Sequence, residues 1–236
     1  MVIADMNATK KTARIAGLLY LLMAVADILS LTIPTAFVVP GDPAATAQKI
    51  VASQLFYRIC IVSDLASQIL FVFLVLAFYE LLKEVNQKQA ALMVALVLVQ
   101  VPMAFANMLC GMAPLVLLNG ADYWSAFDKH QLDALTMGFL SLRSYGINAV
   151  TALWGIWLLP LGLLIFRSGF IPRILGVILI VGCFADLTVS FTSLLFPAYG
   201  HIVSKLMVLA VGEILIILWL LIKGVSVGPL QTLPKR

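Results

Sequence analysis

Five ionisable side chains sit inside long apolar stretches: Asp27, Asp64, Arg143, Asp186 and Glu213. Each such group costs about 2.5–3.5 kcal/mol at mid-bilayer on insertion scales, so it faces a bundle interior or a wet cavity rather than lipid. Four carboxyls against one guanidinium leave an excess of acid. The guanidinium stays charged in any setting, whereas a carboxyl can take up a proton. This balance predicts that Arg143 pairs with one acid and that the others hold protons, water or a cation. The chemistry in view is a proton or cation site, or a pocket for a ligand with a positive group. The competing reading is that the same groups only fix helix packing.

Helical spacing assigns neighbours to these groups. Ser67 and Gln68 fall three and four residues after Asp64, on its face. Gly182, Cys183, Ser190 and Ser193 form a small, polar stripe around Asp186. Ser141, Ser144, Tyr145, Asn148 and Thr151 form another, and Arg143 lies off it, nearer Ile147, Val150 and Trp154. Gln100, Pro102 and Asn107 add polar or helix-breaking character to the third apolar stretch, whereas Glu213 has apolar company in its own helix. All five ionisable groups fall at the middle or in one half of their stretches. The expectation is a single polar pocket, open to the outside. Its ligand- or proton-binding residues would be Asp27, Asp64, Gln68, Arg143, Tyr145, Asn148, Asp186 and Glu213.

No catalytic residue is assigned. The sequence holds no P-loop, GxSxG or HExxH pattern. His130 and His201 both fall in connections, so no histidine stands within an apolar stretch to bind zinc or haem. Cys60, Cys110 and Cys183 show no CxxC spacing and read as small core residues. No metal and no cofactor is expected.

The elements that carry these residues must be membrane helices. Of 236 residues, 63% are hydrophobic and 11% charged, and the mean hydropathy is +1.09. A soluble domain carries roughly 25% charged residues. About 20 apolar residues on a helix cross the hydrocarbon core. Six such stretches occur, at about 14–34, 57–82, 90–118, 134–166, 172–196 and 203–223. The fold class is therefore all-α, a six-helix membrane bundle forming one domain over residues 1–224, with a short tail at 225–236 expected to be disordered. Ala24-Val25-Ala26 resembles a signal cleavage site, but apolar character continues to Val39, so the first stretch is read as a span.

Ten Lys and Arg residues flank the spans on one side, including Lys10, Lys11, Arg14, Lys83, Lys88 and Arg167; four flank the other. Positive charge marks the cytoplasmic side, so both termini are expected there. The basic residues form no stripe suited to a phosphate backbone, and no nucleic acid partner is expected. Outside, Asp42 with Pro43 predicts a capped short helix at the surface. Asp128 with Gln131 predicts a capping box at the start of the fourth span. Arg14-Ile15-Ala16-Gly17 and Arg173-Ile174-Leu175-Gly176 each precede an Ala-Asp pair by the same spacing, which raises a parallel repeat against chance similarity of apolar helices.

Several segments together resemble a known family. They include Val39-Pro40-Gly41-Asp42, Tyr57-Arg58 with Asp64-Leu65 and Gln68, and Gly120-Ala121-Asp122-Tyr123. Trp154-Gly155, Trp157-Leu158, Pro160-Leu161-Gly162, Ser168-Gly169-Phe170, Pro172-Arg173-Ile174-Leu175-Gly176 and Gly212-Glu213 complete the set. The resemblance is to a bacterial membrane family catalogued as domain of unknown function 4386 and runs from about Arg14 to Gly224. It implies a multi-pass bacterial membrane protein, which places the chain in the inner (plasma) membrane, and it carries no activity. The leading expectation is binding or transport of a small solute, with proton linkage. The alternative is a non-transporting sensor or scaffold that binds a lipid or partner protein, and an intramembrane enzyme has least support. The partners expected are the lipid bilayer and a small-molecule or lipid ligand.

Overall fold

The computed structural model describes residues 2–225, with side chains described from Lys10 onward except those of Met207, Leu209 and Ala210. Of the tail expected at 225–236, Val225 is described and is buried among the core residues, and 226–236 lie outside the described residues. Nine α-helices occur among the described residues: α1 (Val2–Ser30), α2 (Ile33–Ala36), α3 (Pro43–Ala52), α4 (Gln54–Leu82), α5 (Gln87–Leu117), α6 (Lys129–Ser168), α7 (Arg173–Leu195), α8 (Gly200–Val203) and α9 (Val211–Ile222). Six segments are long and apolar enough to cross a membrane: Lys10–Ala36, Gln54–Leu82, Gln87–Leu117, Lys129–Ser168, Arg173–Leu195 and Pro197–Ile222.

Local chemistry sets the helix ends. Asp42 Oδ1 accepts from the Ala45 N–H at 2.9 Å, with Pro43 opening α3. Asp128 and Gln131 form the reciprocal capping box at the head of α6, at 2.8 and 2.9 Å. Asn86 caps α5 through a single bond, its Oδ1 accepting from the Gln89 N–H at 3.0 Å. Gly169 ends α6 with φ +73°, a left-handed position that glycine takes without a Cβ clash. The sixth span differs from the single helix expected over 203–223. It runs through a 3₁₀ turn at Pro197–Tyr199, α8 and a 3₁₀ segment at Ser204–Ala210 before α9 begins at Val211. Gly200, Val203, Val208, Val211 and Gly212 lower the α-helix propensity of that stretch.

The six spans close into a ring. α1 packs on α4, α4 on α5, α5 on α6, and α6 on α7; the last span lies between α7 and α1. Small residues set the closest approaches. A Cβ built on Gly17 would meet Leu220 Cβ at 2.9 Å, and one on Gly162 would meet the Gly176 carbonyl oxygen at 2.7 Å. A Cβ on Gly224 would stand 3.8 Å from the Lys10 carbonyl, so the start of the first span and the end of the last share one end of the bundle. Gly17 thus packs on α9, whereas the matching Gly176 packs on α6, so the two similar segments serve different neighbours.

Two apolar clusters fill the ring. The end carrying Lys10, Lys83 and Arg167 is called inner below, and the end carrying Asp42 and Asp128 outer. The inner cluster joins Ala13, Tyr20, Phe71, Phe78, Trp157, Leu161 and Leu220, among others. Phe71 and Trp157 rings lie 4.9 Å apart at 74°, and Tyr20 and Phe78 6.1 Å apart at 89°. The outer cluster joins Ile33, Phe37, Ile50, Tyr57, Cys60, Ile61 and Leu140, with α3 supplying Ile50. All three cysteines are free thiols.

Candidate functional site

Between the two clusters, the helices present a polar layer. On α1 it falls at Asp27 and Ser30, between Met23 of the inner cluster and Ile33 of the outer. On α4 it falls at Asp64, Ser67 and Gln68, between Ile61 and Phe71. Arg143 of α6 supplies the cation.

Arg143 is 3% exposed and Asp64 14%. The guanidinium Nη2 donates to Asp64 Oδ2 at 2.9 Å and to Ser30 Oγ at 3.0 Å. Its Nε and Nη1 are buried without a hydrogen-bond partner among the described residues. Gly111 makes room for the side chain, because a Cβ there would meet Arg143 Nε at 2.8 Å and Ile61 Cδ1 at 3.0 Å. Gly146 does the same for Asn107.

A narrow cavity of about 20 Å³ adjoins the guanidinium and is lined by Asp27, Asp64, Gln68, Asn107, Arg143 and Trp154, with Ser30 and Ala104 among others. That volume holds about one water molecule. Asp27 accepts a short hydrogen bond from the Ser67 hydroxyl. A chain of amides braces the layer: Trp154 Nε1 donates to Gln100 Oε1 at 3.0 Å, and Gln100 Nε2 donates to Gln68 Oε1 at 3.2 Å.

The expected residues do not all meet. Asp27, Asp64, Gln68 and Arg143 share the cavity. Glu213 instead accepts a short hydrogen bond from the Tyr20 hydroxyl, at the edge of the inner cluster. Asp27 and Asp186 lie within electrostatic reach of that pair. Asp186 sits where α7 crosses Gly155 of α6; a Cβ on Gly155 would meet Asp186 Cβ at 2.8 Å. Tyr145 and Asn148 line a separate groove between α6, α7 and α8. Helical phase explains the division. Arg143, Ile147, Val150 and Trp154 share the face turned to the cavity, while Ser141, Ser144, Tyr145 and Asn148 share the face turned to α7.

Three contributors stand outside the expected set of binding residues. Ser30 falls three residues after Asp27, the spacing that also puts Ser67 with Asp64, and that spacing could have found it; Tyr20 meets its partner Glu213 only across the bundle. Trp154 shares the Arg143 face, and its indole N–H is part of the amide chain. Outside the layer, Asp133 is buried and paired with Lys129 at 2.6 Å. Among the described residues, no group of three His, Cys, Asp or Glu side chains is placed to hold a metal ion.

The layer can hold and exchange a proton, a water molecule or a cation of water size. A family model described as Domain of unknown function (DUF4386) matches residues 15–224. No curated protein matches the chain, and no solved structure does.

Proposed function

The chain belongs to the DUF4386 family, and within it we propose a multi-pass protein of the bacterial inner membrane that binds a small ligand from the outer side, with proton uptake at its charged layer. Both termini face the cytoplasm in this reading, supported by the ten-to-four bias of basic flanks. The six spans and their connections act as one domain over residues 1–224.

The observation that carries the proposal is Asp27. It borders the cavity beside an Asp64–Arg143 pair that is already closed, and the partner it shows is the Ser67 hydroxyl. An intramembrane carboxyl without a cation is a functional position by default. The cavity volume limits what occupies it to a proton carrier, a water or a small cation. Carboxylic C=O infrared difference spectra across a pH series test this. A protonation band that disappears in Asp27→Asn supports the proposal; spectra identical in wild type and variant refute it.

Binding without passage fits the packing better than translocation. The inner cluster, with Leu74, Phe78, Leu82 and Leu164 fully buried, closes the layer from the cytoplasmic end, and the outer cluster that covers its other end is the smaller of the two. One observation favours a transporter as the second reading: the last span is interrupted by 3₁₀ structure ahead of Glu213, and broken helices form the sites of many transporters. Proteoliposomes holding a pH-sensitive dye decide between them. Acidification that depends on the protein and on Asp27 selects the transporter; carboxyl protonation without flux selects the receptor.

A further inference from the structure

The groove that takes Tyr145 and Asn148 away from the charged layer has a chemistry of its own. It has a volume of about 480 Å³, within the roughly 300–1,000 Å³ typical of ligand sites. We propose that it binds a neutral, hydroxyl-rich group: the headgroup of a glycosyl lipid, or a free polyol or sugar. The inference stands apart from the proton reading of the layer.

The polar lining comes from Ser141, Ser144, Tyr145 and Asn148 on α6, Ser193 on α7 and His201 on α8. The Ser141 hydroxyl donates back to the Met137 carbonyl at 2.9 Å and keeps its acceptor sites. The side chains of Ser144, Tyr145, Asn148, Ser193 and His201 have no hydrogen-bond partner among the described residues. The groove is open, with Ser144, Tyr145 and His201 exposed and Asn148 and Ser193 half-buried, so these groups are accessible from outside the bundle. A ligand that enters the groove therefore finds these donors and acceptors free to bind it.

The lining selects its class. Hydroxyls and an amide both donate and accept, which matches the pattern that polyols present. No Lys, Arg, Asp or Glu lines the groove. A phosphate or ammonium would lose its water there without a charged partner. Val189 and Pro197 add apolar wall, suited to the C–H face of a sugar ring or a glycerol backbone. The groove also lies at the outer end of α7, which stops at Leu195, the depth at which lipid headgroups and soluble solutes can both reach it.

The test uses the full chain in nanodiscs that contain a monoglucosyl diacylglycerol at low fraction in phosphatidylethanolamine. Native mass spectrometry after detergent transfer reads which lipid stays bound, and thermal unfolding with added glucose or glycerol reads soluble ligands. Retention of the glucosyl lipid, reduced about thirtyfold by Ser144→Val with Asn148→Leu, supports a lipid headgroup, because two lost hydrogen bonds of about 1 kcal/mol each weaken binding on that scale. Stabilisation by free glucose or glycerol that the same substitutions abolish supports a soluble polyol. If the double variant does not fold, Tyr145→Phe removes one exposed hydroxyl and is expected to weaken the same signal several-fold. Equal retention of both lipids with no effect of glucose or glycerol overturns the proposal, as does retention or stabilisation that no substitution changes.

Discussion

Arg143 of α6 donates through Nη2 to Asp64 of α4 at 2.9 Å, although the two helices are not adjacent in the ring, and Nε and Nη1 of the same guanidinium remain unpaired among the described residues. The pair thus reaches across the bundle interior. Its burial makes it unforgiving of the loss of one partner.

Removing one member of a buried pair costs about 3–5 kcal/mol, while replacing both with apolar groups is often neutral. Asp64→Asn strands the buried cation and is expected to destabilise more than Arg143→Met, which leaves a carboxyl able to take up a proton. Asp64→Leu with Arg143→Met is expected to recover most of the loss. Thermal unfolding of the purified protein in detergent, followed by tryptophan fluorescence, measures all three. A double variant as unstable as Asp64→Asn would contradict the argument.

Gly111 and Gly138 form a matched contrast. A Cβ at Gly111 meets Arg143 Nε and Cδ and Ile61 Cδ1 at 2.8–3.0 Å, whereas one at Gly138 meets nothing within 4 Å. Gly111→Ala is expected to cost about 1–3 kcal/mol through overpacking. Gly138→Ala is expected to be neutral, or to stabilise by up to about 1 kcal/mol through helix propensity. Unfolding midpoints of the two variants give the comparison directly.

Tyr20 supplies the hydroxyl that Glu213 accepts. Tyr20→Phe leaves that acid without its donor and is expected to destabilise by about 1–3 kcal/mol. Combined with Tyr20→Phe, Glu213→Leu is expected to restore stability, since no polar group then remains to be satisfied. Additive losses in the two single variants and their combination would show that the contact contributes nothing.

The capping box at α6 predicts a local effect. Asp128→Ala is expected to cost about 1 kcal/mol and to raise amide hydrogen exchange around residues 129–132, with α4 unchanged. Exchange rising equally in α4 would mean that the head of α6 is tied to the whole bundle.

Much of this structure is legible in the residues themselves. Apolar length gives the six spans, and short-range chemistry gives the Asp42 and Asp128 caps. Helical phase places Arg143 with Ile147, Val150 and Trp154, apart from the serine stripe. The limits are physical too. One helix's periodicity says which residues share a face, not which neighbour that face meets. So the sequence groups Tyr145 and Asn148 with a charge they turn away from. It also groups Glu213 with Arg143, although its donor is Tyr20, far along the chain. Asp186 joins the same expected chamber because its depth matches; depth leaves the angle around the ring undetermined.

The lengths of α6 and α7 have a consequence for the surrounding bilayer. At 1.5 Å per residue, the 40 residues of α6 extend about 60 Å and the 23 of α7 about 35 Å. Their inner ends are joined by a short turn, so the excess of α6 all lies at the outer end, where α7 stops. The rim of the protein is stepped: tall where α3 leans on α6, low beside α8. Leu135, Phe139 and Leu142 face outward above the low side. Lys129, His130, Gln131 and Asp133 open α6 with polar residues, so its first turns can stand among headgroups or in water, and the surrounding lipid meets a rim of uneven height.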